Sequence, residues 1–236
     1  MRVAVVSCHV ERLLDDRVWD VFSRFQARRP GGFEIAAMIR PPDPAAGEDE
    51  ALWLARARLA AAQGPLGHHT HWGGATQARP TGGDPAATVR AEATWLRERG
   101  LHPRFFCGGG WFMDGAVAGA LAELGYVDCT ATAFTPRYLP GGAPRLSLGE
   151  PTLLRLGQTA LPELPATHSL GMAARASLGR LPRYVHVYFH DTDLIHKLRR
   201  RALEVALAVL SRRRTPTRLD ALTAEAEADF STAAFP

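Results

Sequence analysis

The sequence has few cysteines and no paired cysteine motif. Its three cysteines, Cys8, Cys107 and Cys129, are an odd number, and no two of them form a C-x-x-C pair. This pattern argues against a disulfide framework and against a zinc site built from thiolates. A reducing compartment suits such a chain, and we therefore predict a cytoplasmic protein.

Long hydrophobic runs are also absent. The chain begins Met1-Arg2 and enters an apolar run at residues 3–6, which is too short for the apolar region of a signal peptide or for a membrane span. The sequence therefore predicts neither an export signal nor insertion into a membrane.

The excess of positive charge is small and scattered. There are 28 Lys and Arg against 24 Asp and Glu, a net charge of +4. The densest basic runs, 199–201 and 212–214, flank an apolar helix and contain no aromatic residues for base stacking. We predict no nucleic-acid partner and instead a small-molecule or carbohydrate substrate, with the oligomeric state left open.

The composition is that of a folded protein. Hydrophobic residues make up 46% and charged residues 22% of the 236 positions, close to globular averages. A chain of this length can form one large α/β unit, so we predict a single domain over 1–236.

Strand-like and helix-like segments alternate along the chain, which is typical of βα units around a parallel sheet. We predict strands near 2–8, 33–39, 65–71, 105–107, 126–130 and 183–189, with weaker ones near 152–156 and 161–167. Helices are predicted at about 15–28, 48–62, 84–100 and 193–211, with another ending at Gly125 and a short one after Pro216, before a frayed end. Residues 133–150 are rich in Pro and Gly and predict an irregular loop or small hairpin.

Histidines gather where strands end. His68, His69 and His71 fall within four positions, and the period of two in a strand places His69 and His71 on one side. His9 and Glu11 repeat this spacing after the first strand. The carboxyl ends of parallel strands meet at one edge of the sheet, so this grouping favours a metal site. A lone histidine, by contrast, is usually an ordinary polar residue.

In order and spacing, these motifs resemble the polysaccharide deacetylase family, the NodB-type carbohydrate esterases, over most of the chain. The resemblance lies in residues 7–11, in His69-Thr70-His71-Trp72-Gly73, in Gly125-Tyr126 and in His190. It implies a distorted (β/α) barrel of about seven parallel strands that binds a divalent metal. It also implies removal of acetyl groups from N-acetylated sugars, or action on other C–N bonds.

The sequence departs from the family pattern at three points. His9 stands where the family has an aspartate base, and Gly73 stands where it has the second ligating histidine, so that either His71 takes that role or one ligand is missing. The third motif lacks its arginine near Cys107. Loss of the arginine together with the aspartate is coherent, because a guanidinium would repel a protonated imidazole.

The resemblance implies a role for each candidate residue. Glu11, His69 and His71 would hold the ion, for which zinc is the first choice, while Co²⁺, Ni²⁺ and Fe²⁺ suit the same ligands. His9 would be the base or a fourth ligand, and His190 would protonate the leaving amine with Asp191 or Asp193 orienting it. The expected substrate-binding residues are Trp72, Gly109, Trp111, Asp128 and His168. For residues 108–110 a tight turn without a ligand role is the favoured interpretation, and the two tryptophans also fit a core position.

Three functional hypotheses follow. The first is a deacetylase acting on an N-acetylated sugar or polysaccharide precursor. The second is an inactive relative that binds a carbohydrate or a partner protein. The third is a metal-dependent hydrolase of a non-sugar C–N bond on the same fold.

Overall fold

The computed structural model describes residues 2–176, 179–225 and 230–236. The strands are β1 (Val3–Val10), β2 (Ile35–Ile39), β3 (Leu66–Thr70), β4 (Phe105–Gly108), β5 (Val127–Asp128), β6 (Thr152–Leu156), β7 (Thr159–Glu163), β8 (His168–Ser169), β9 (Tyr184–His190), β10 (Thr215–Pro216) and β11 (Ser231–Ala234). The helices are α1 (Asp16–Arg28), α2 (Glu50–Ala61), α3 (Pro85–Glu98), α4 (Gly115–Leu124), α5 (Leu170–Ala176), α6 (Lys197–Ser211) and α7 (Leu219–Glu225).

The strands form one mostly parallel sheet in the order β11-β6-β7-β5-β4-β3-β2-β1-β9-β8, with β10 beside β1. The seven strands from β5 through β8 in this order run parallel to one another. Only the β6–β7 pair is antiparallel, among the pairings of the described strands. The α/β class with a mostly parallel sheet is thus confirmed. Within the described part of the chain no ladder joins β8 to β11, so the sheet stays open there.

The helices begin where the sequence provides caps. The carboxylates of Asp15, Asp49, Asp84 and Asp114 each accept a hydrogen bond from a backbone N–H in the first turn of α1, α2, α3 and α4. Such a cap satisfies a donor that the helix itself leaves unpaired. Asp15 therefore caps α1, while the neighbouring Asp16 forms an ion pair with Arg56.

The second half of the chain differs most from the predicted elements. The weak strand expected at 161–167 is instead β7 in a hairpin with β6, turned by Gly157 at φ 64°. Helix α5 and the short strands β8, β10 and β11 were not predicted, because two to seven residues carry too little periodicity. The prediction of a frayed end is wrong for residues 231–234, where β11 pairs with β6. Residues 226–229 lie outside the described residues.

The alternation of side chains divides the sheet into two faces. On the outer face, Val6 and Cys8 of β1 pack against α1, α2 and α6. On the inner face, Val3 and Val5 join a second cluster with Met38, Phe105, Cys107, Val127, Cys129 and residues of α7. We call these the outer and inner faces below. Because the period is two, His9 and Glu11 continue the inner row of β1.

Within the described ranges, no helix combines the length and apolar character needed to cross a membrane.

Candidate metal centre

Two imidazoles at the end of β3 present free nitrogens to one point. Nδ1 of His69 lies 2.8 Å from the carbonyl oxygen of Cys107, and Nδ1 of His71 lies 3.2 Å from that of Ala75. A carbonyl only accepts, so both Nδ1 atoms carry the proton and both lone pairs are at Nε2. These Nε2 atoms are buried and have no hydrogen-bond partner. Metal-binding histidines are commonly fixed through their second nitrogen in this way.

Glu11 faces both free nitrogens. Its Oε1 lies 3.6 Å from Nε2 of His69 and 3.4 Å from Nε2 of His71. A tetrahedral ion with bonds of about 2.0–2.2 Å places its ligand atoms about 3.3–3.6 Å apart. Both distances from Glu11 therefore match the spacing of ligands on a small divalent cation, and one ligand atom from each of the three residues lies within 4.8 Å of the others.

The electrostatics of the three residues call for a positive charge. Burial lowers the pKa of His69, which favours the neutral ring. The half-buried carboxylate of Glu11 then faces imidazole lone pairs, an arrangement that a cation stabilises.

His190 lies at the solvent side of the same group. Its Nε2 is 3.7 Å from Oε1 of Glu11, and its side chain is 37% exposed. Its Nδ1 lies 3.9 Å from Oδ2 of Asp193, which also accepts a hydrogen bond from the His190 backbone N–H at 3.0 Å. Asp193 is itself held by Arg199 at 2.8 Å. Asp193 is thus the carboxylate that can orient the His190 ring.

Both carboxylate oxygens of Asp191, which was predicted as a catalytic residue, are hydrogen-bonded to backbone N–H groups. Asp191 is fully buried, and its two oxygens accept hydrogen bonds from the backbone N–H groups of Arg12 and Thr192, each at 2.8 Å. Burial raises its pKa to about 6. Because both oxygens are taken by backbone donors, Asp191 fastens the segment after Glu11 to the end of β9 and leaves the His190 imidazole to Asp193.

His9 forms the floor of the group. It is 5% exposed, and its ring centre lies 4.6 Å from that of His69 and 5.1 Å from that of His190. Burial lowers its pKa, and the neighbouring histidines lower it further, so the ring is neutral. Its Nε2 lies 3.4 Å from Sγ of Cys107. His9, His69 and Cys107 each offer one ligand atom within 4.8 Å of the others.

Aromatic side chains wall the inner face beside His9. Trp111 lies 5.4 Å from His9 and 4.7 Å from Tyr188, measured between ring centres. Its backbone has φ 61°, a left-handed conformation unusual for a residue with a side chain. Tyr188 also stacks on His9 at 5.3 Å. Tyr188 was missed in the sequence, although the period of two from His190 places it on the same face.

Trp72 and Gly109 support the site without facing it. The indole N–H of Trp72 donates to the carbonyl of Gly109 at 3.2 Å, and its ring packs on Phe112, which belongs to a third buried cluster with Phe106 and Val117. A Cβ on Gly109 would lie within 2.5 Å of two carbonyl oxygens, those of Thr70 and Ala78. Gly109 is therefore a position of close backbone approach, in agreement with the tight-turn interpretation.

Asp128 and His168 lie on the other side of the sheet from the imidazoles. Val127 and Cys129 belong to the inner face, so the intervening Asp128 points to the outer face, where it is fully buried beside Glu163. His168 lines a small outer-face void with Ala173 and Leu181. Both were predicted to bind substrate, and the alternation of β5 and the short β8 directs them away from the site.

A separate open cavity of about 430 Å³ lies at the opposite end of the sheet. It is lined by Arg2, Arg180, Leu181, Arg183, Arg213 and Arg214. Arg2 precedes β1, whereas Glu11 follows it, so the cavity and the imidazoles are at opposite ends of that strand. This cavity has no carboxylate or imidazole among its described lining residues and offers no metal donors.

Neither a protein-family model nor a curated protein matches this sequence. The fold is similar to that in a crystal structure of 4-α-glucanotransferase from Thermococcus litoralis, with a TM-score of 0.62 and 9% sequence identity. The similarity covers 100% of this chain and 42% of the glucanotransferase chain. At this identity the comparison shows a shared α/β fold and no more.

Proposed function

We propose that this chain is a metal-dependent hydrolase of amide C–N bonds, acting as a deacetylase on an N-acetylated sugar. The observation that carries the proposal is the convergence of two buried, unpartnered Nε2 atoms, those of His69 and His71, on Glu11. The sugar is the substrate class that the family resemblance of the motifs implies. We further propose that the open sheet is a distorted barrel, as the family resemblance implies.

Glu11, His69 and His71 would hold the ion. The mixed nitrogen and oxygen set suits Zn²⁺ first. A divalent ion bound there would lower the pKa of a water molecule and polarise the amide carbonyl. Backbone carbonyls accept hydrogen bonds from Nδ1 of both histidines, so the two Nε2 atoms are already oriented as metal ligands.

His190 is the residue best placed to move a proton. Its ring reaches solvent on one side and Glu11 on the other, and Asp193 lies beside Nδ1. We assign it the transfer of a proton to the leaving amine. His9, neutral and buried, can accept a proton at the floor of the site, but its burial disfavours the imidazolium that would result.

Elemental analysis of the purified protein tests the metal site. The wild type should contain about one divalent ion per chain after zinc is supplied, and His69→Ala and Glu11→Ala should lose it. His68→Ala is the matched control, because His68 adjoins His69 but points to the outer face, where it contacts Glu92 and Tyr126. Retention of the ion in Glu11→Ala, or its loss in His68→Ala, would contradict the assignment.

The reaction is tested separately by acetate release. N-acetylated monosaccharides and oligosaccharides are compared with small non-sugar amides, and activity should depend on the added ion. If acetate is released from non-sugar amides only, the substrate is a non-sugar amide, and the proposal of a metal-dependent reaction still stands.

A second candidate is a relative that binds a carbohydrate without cleaving it. It is favoured by His9 and Cys107, which occupy the places where the resemblance implies an aspartate base and an arginine. In that case calorimetry would show sugar binding to the metal-loaded protein, with no acetate released from any amide.

A further inference from the structure

Cys107 lies next to the histidines of the candidate metal centre. It is fully buried on the inner face of β4, with Sγ 3.4 Å from Nε2 of His9. Its backbone carbonyl accepts a hydrogen bond from Nδ1 of His69. Cys107 therefore contacts His9 through its thiol and His69 through its main chain. The remaining nitrogen of His69, Nε2, is buried and unpartnered.

We propose that Cys107, His9 and His69 form a second, sulfur-containing position for a soft cation, which we call the inner position. Glu11, His69 and His71 form the outer position, and both positions lie on the inner face of the sheet. One ligand atom from each of the three inner residues lies within 4.8 Å of the others. The inner position shares one imidazole with the proposed hydrolase centre and otherwise does not rest on the proposed function.

The spacing of the inner group suits a thiolate and imidazole pair on one ion. Bonds of about 2.3 Å to sulfur and about 2.0–2.1 Å to nitrogen place the two atoms about 3.5 Å apart in a tetrahedral site. Sγ of Cys107 and Nε2 of His9 are separated by 3.4 Å. When the sulfur–metal bond forms, the thiol proton is released to solvent, and no oxidant or reductant takes part.

The two positions exclude each other at His69. Its Nδ1 donates to the Cys107 carbonyl, which leaves a single lone pair at Nε2. A soft ion such as Cd²⁺ favours the thiolate of the inner position, whereas a harder ion such as Mn²⁺ favours the carboxylate of Glu11. The chemical class of the bound ion therefore selects the position.

Titration of the full-length, metal-free protein with Cd²⁺ tests this directly. Coordination by sulfur produces a thiolate-to-cadmium charge-transfer absorption in the ultraviolet. We expect this absorption at one equivalent in the wild type and its loss in Cys107→Ser. Cys8→Ser and Cys129→Ser are the matched controls, since both thiols are equally buried but belong to neither donor group, and both variants should keep the absorption.

Glu11→Gln separates the two positions. It should keep the cadmium–thiolate absorption while losing affinity for Mn²⁺. In Cys107→Ser the affinity for Cd²⁺ should fall by at least the roughly 10–100-fold that loss of a supporting partner costs, while Mn²⁺ binding persists.

The titration of the wild type with Cd²⁺ tests the inner position even if Cys107→Ser fails to fold. Cd²⁺ binding without a charge-transfer absorption would overturn the inner position and leave the Glu11 centre intact. Persistence of the absorption in a folded Cys107→Ser variant would also overturn it. Absence of Mn²⁺ and Zn²⁺ binding with a normal cadmium–thiolate signal would instead refute the hydrolase centre and support the inner position.

Discussion

Replacement of Gly109 by alanine should damage the metal centre although this residue contacts no ion. The new Cβ would lie within 2.5 Å of the carbonyl oxygens of Thr70 and Ala78 and 3.2 Å from Cδ2 of His71. Backbone oxygens cannot swing aside as a long side chain can. The end of β3 must therefore shift, and His71 shifts with it.

The size of the effect follows from the cost of overpacking. An extra carbon in a tightly packed site costs about 1–3 kcal/mol. For a chain of this size, 1 kcal/mol lowers the melting temperature by about 2–4 °C, so a decrease of about 2–12 °C is expected. Because the strain falls on His71, the affinity for Zn²⁺ should fall at the same time.

Thermal unfolding of the metal-free protein, together with calorimetric titration of Zn²⁺, measures both effects. Gly119→Ala is the matched control: it lies inside α4 with nothing within 4 Å of its added carbon. That change should stabilise the helix by about 0.5–1 kcal/mol and leave zinc affinity unchanged. If Gly109→Ala has wild-type stability and affinity, the close approach of β3 and β4 does not position His71.

Three further predictions concern the two faces of the sheet. His68→Ala removes the partner of the buried Tyr126 hydroxyl and one of the hydrogen bonds to Glu92, and the free energy of unfolding measured in urea should fall by about 1–3 kcal/mol while bound metal stays constant. Burial raises the pKa of both Asp128 and Glu163, so the folded protein retains a proton that the unfolded chain releases above about pH 4, and stability is lost as pH rises through the raised values. Glu163→Gln should therefore gain stability relative to wild type between pH 5 and 8, at up to about 1.4 kcal/mol per pH unit, and melting temperatures with an equal difference at every pH would disprove this. Asp193→Asn should lower the rate of acetate release without lowering metal content, and loss of the ion in elemental analysis would show that Asp193 supports the ligands instead.

The placement of the histidines could be predicted because it depends on strand periodicity. Residues two apart at the ends of β1 and β3 share a face, and parallel neighbours end at the same edge. This reasoning correctly placed Glu11, His69 and His71 together, with His190 close by.

The same reasoning failed where a polar residue could belong to either face. Asp128 follows a predicted strand as His69 does, but only the packing of Val127 and Cys129 shows that the inner face belongs to its neighbours. Asp191 and Asp193 are equally close to His190 in sequence. The short helical turn after β9 brings Asp193 to the ring and sends Asp191 to the Arg12 backbone, a choice that depends on tertiary contacts.

The hydrogen bond from His69 to the Cys107 carbonyl also ties metal binding to strand register. In the observed pairing, His69 is opposite Cys107 and Thr70 is opposite Gly108. A slip that turned β3 over by one residue would bring His68 and Thr70 inward and leave a single imidazole there. A cation that needs two imidazoles can bind only one of these arrangements, and its binding energy would discriminate between them as the sheet assembles.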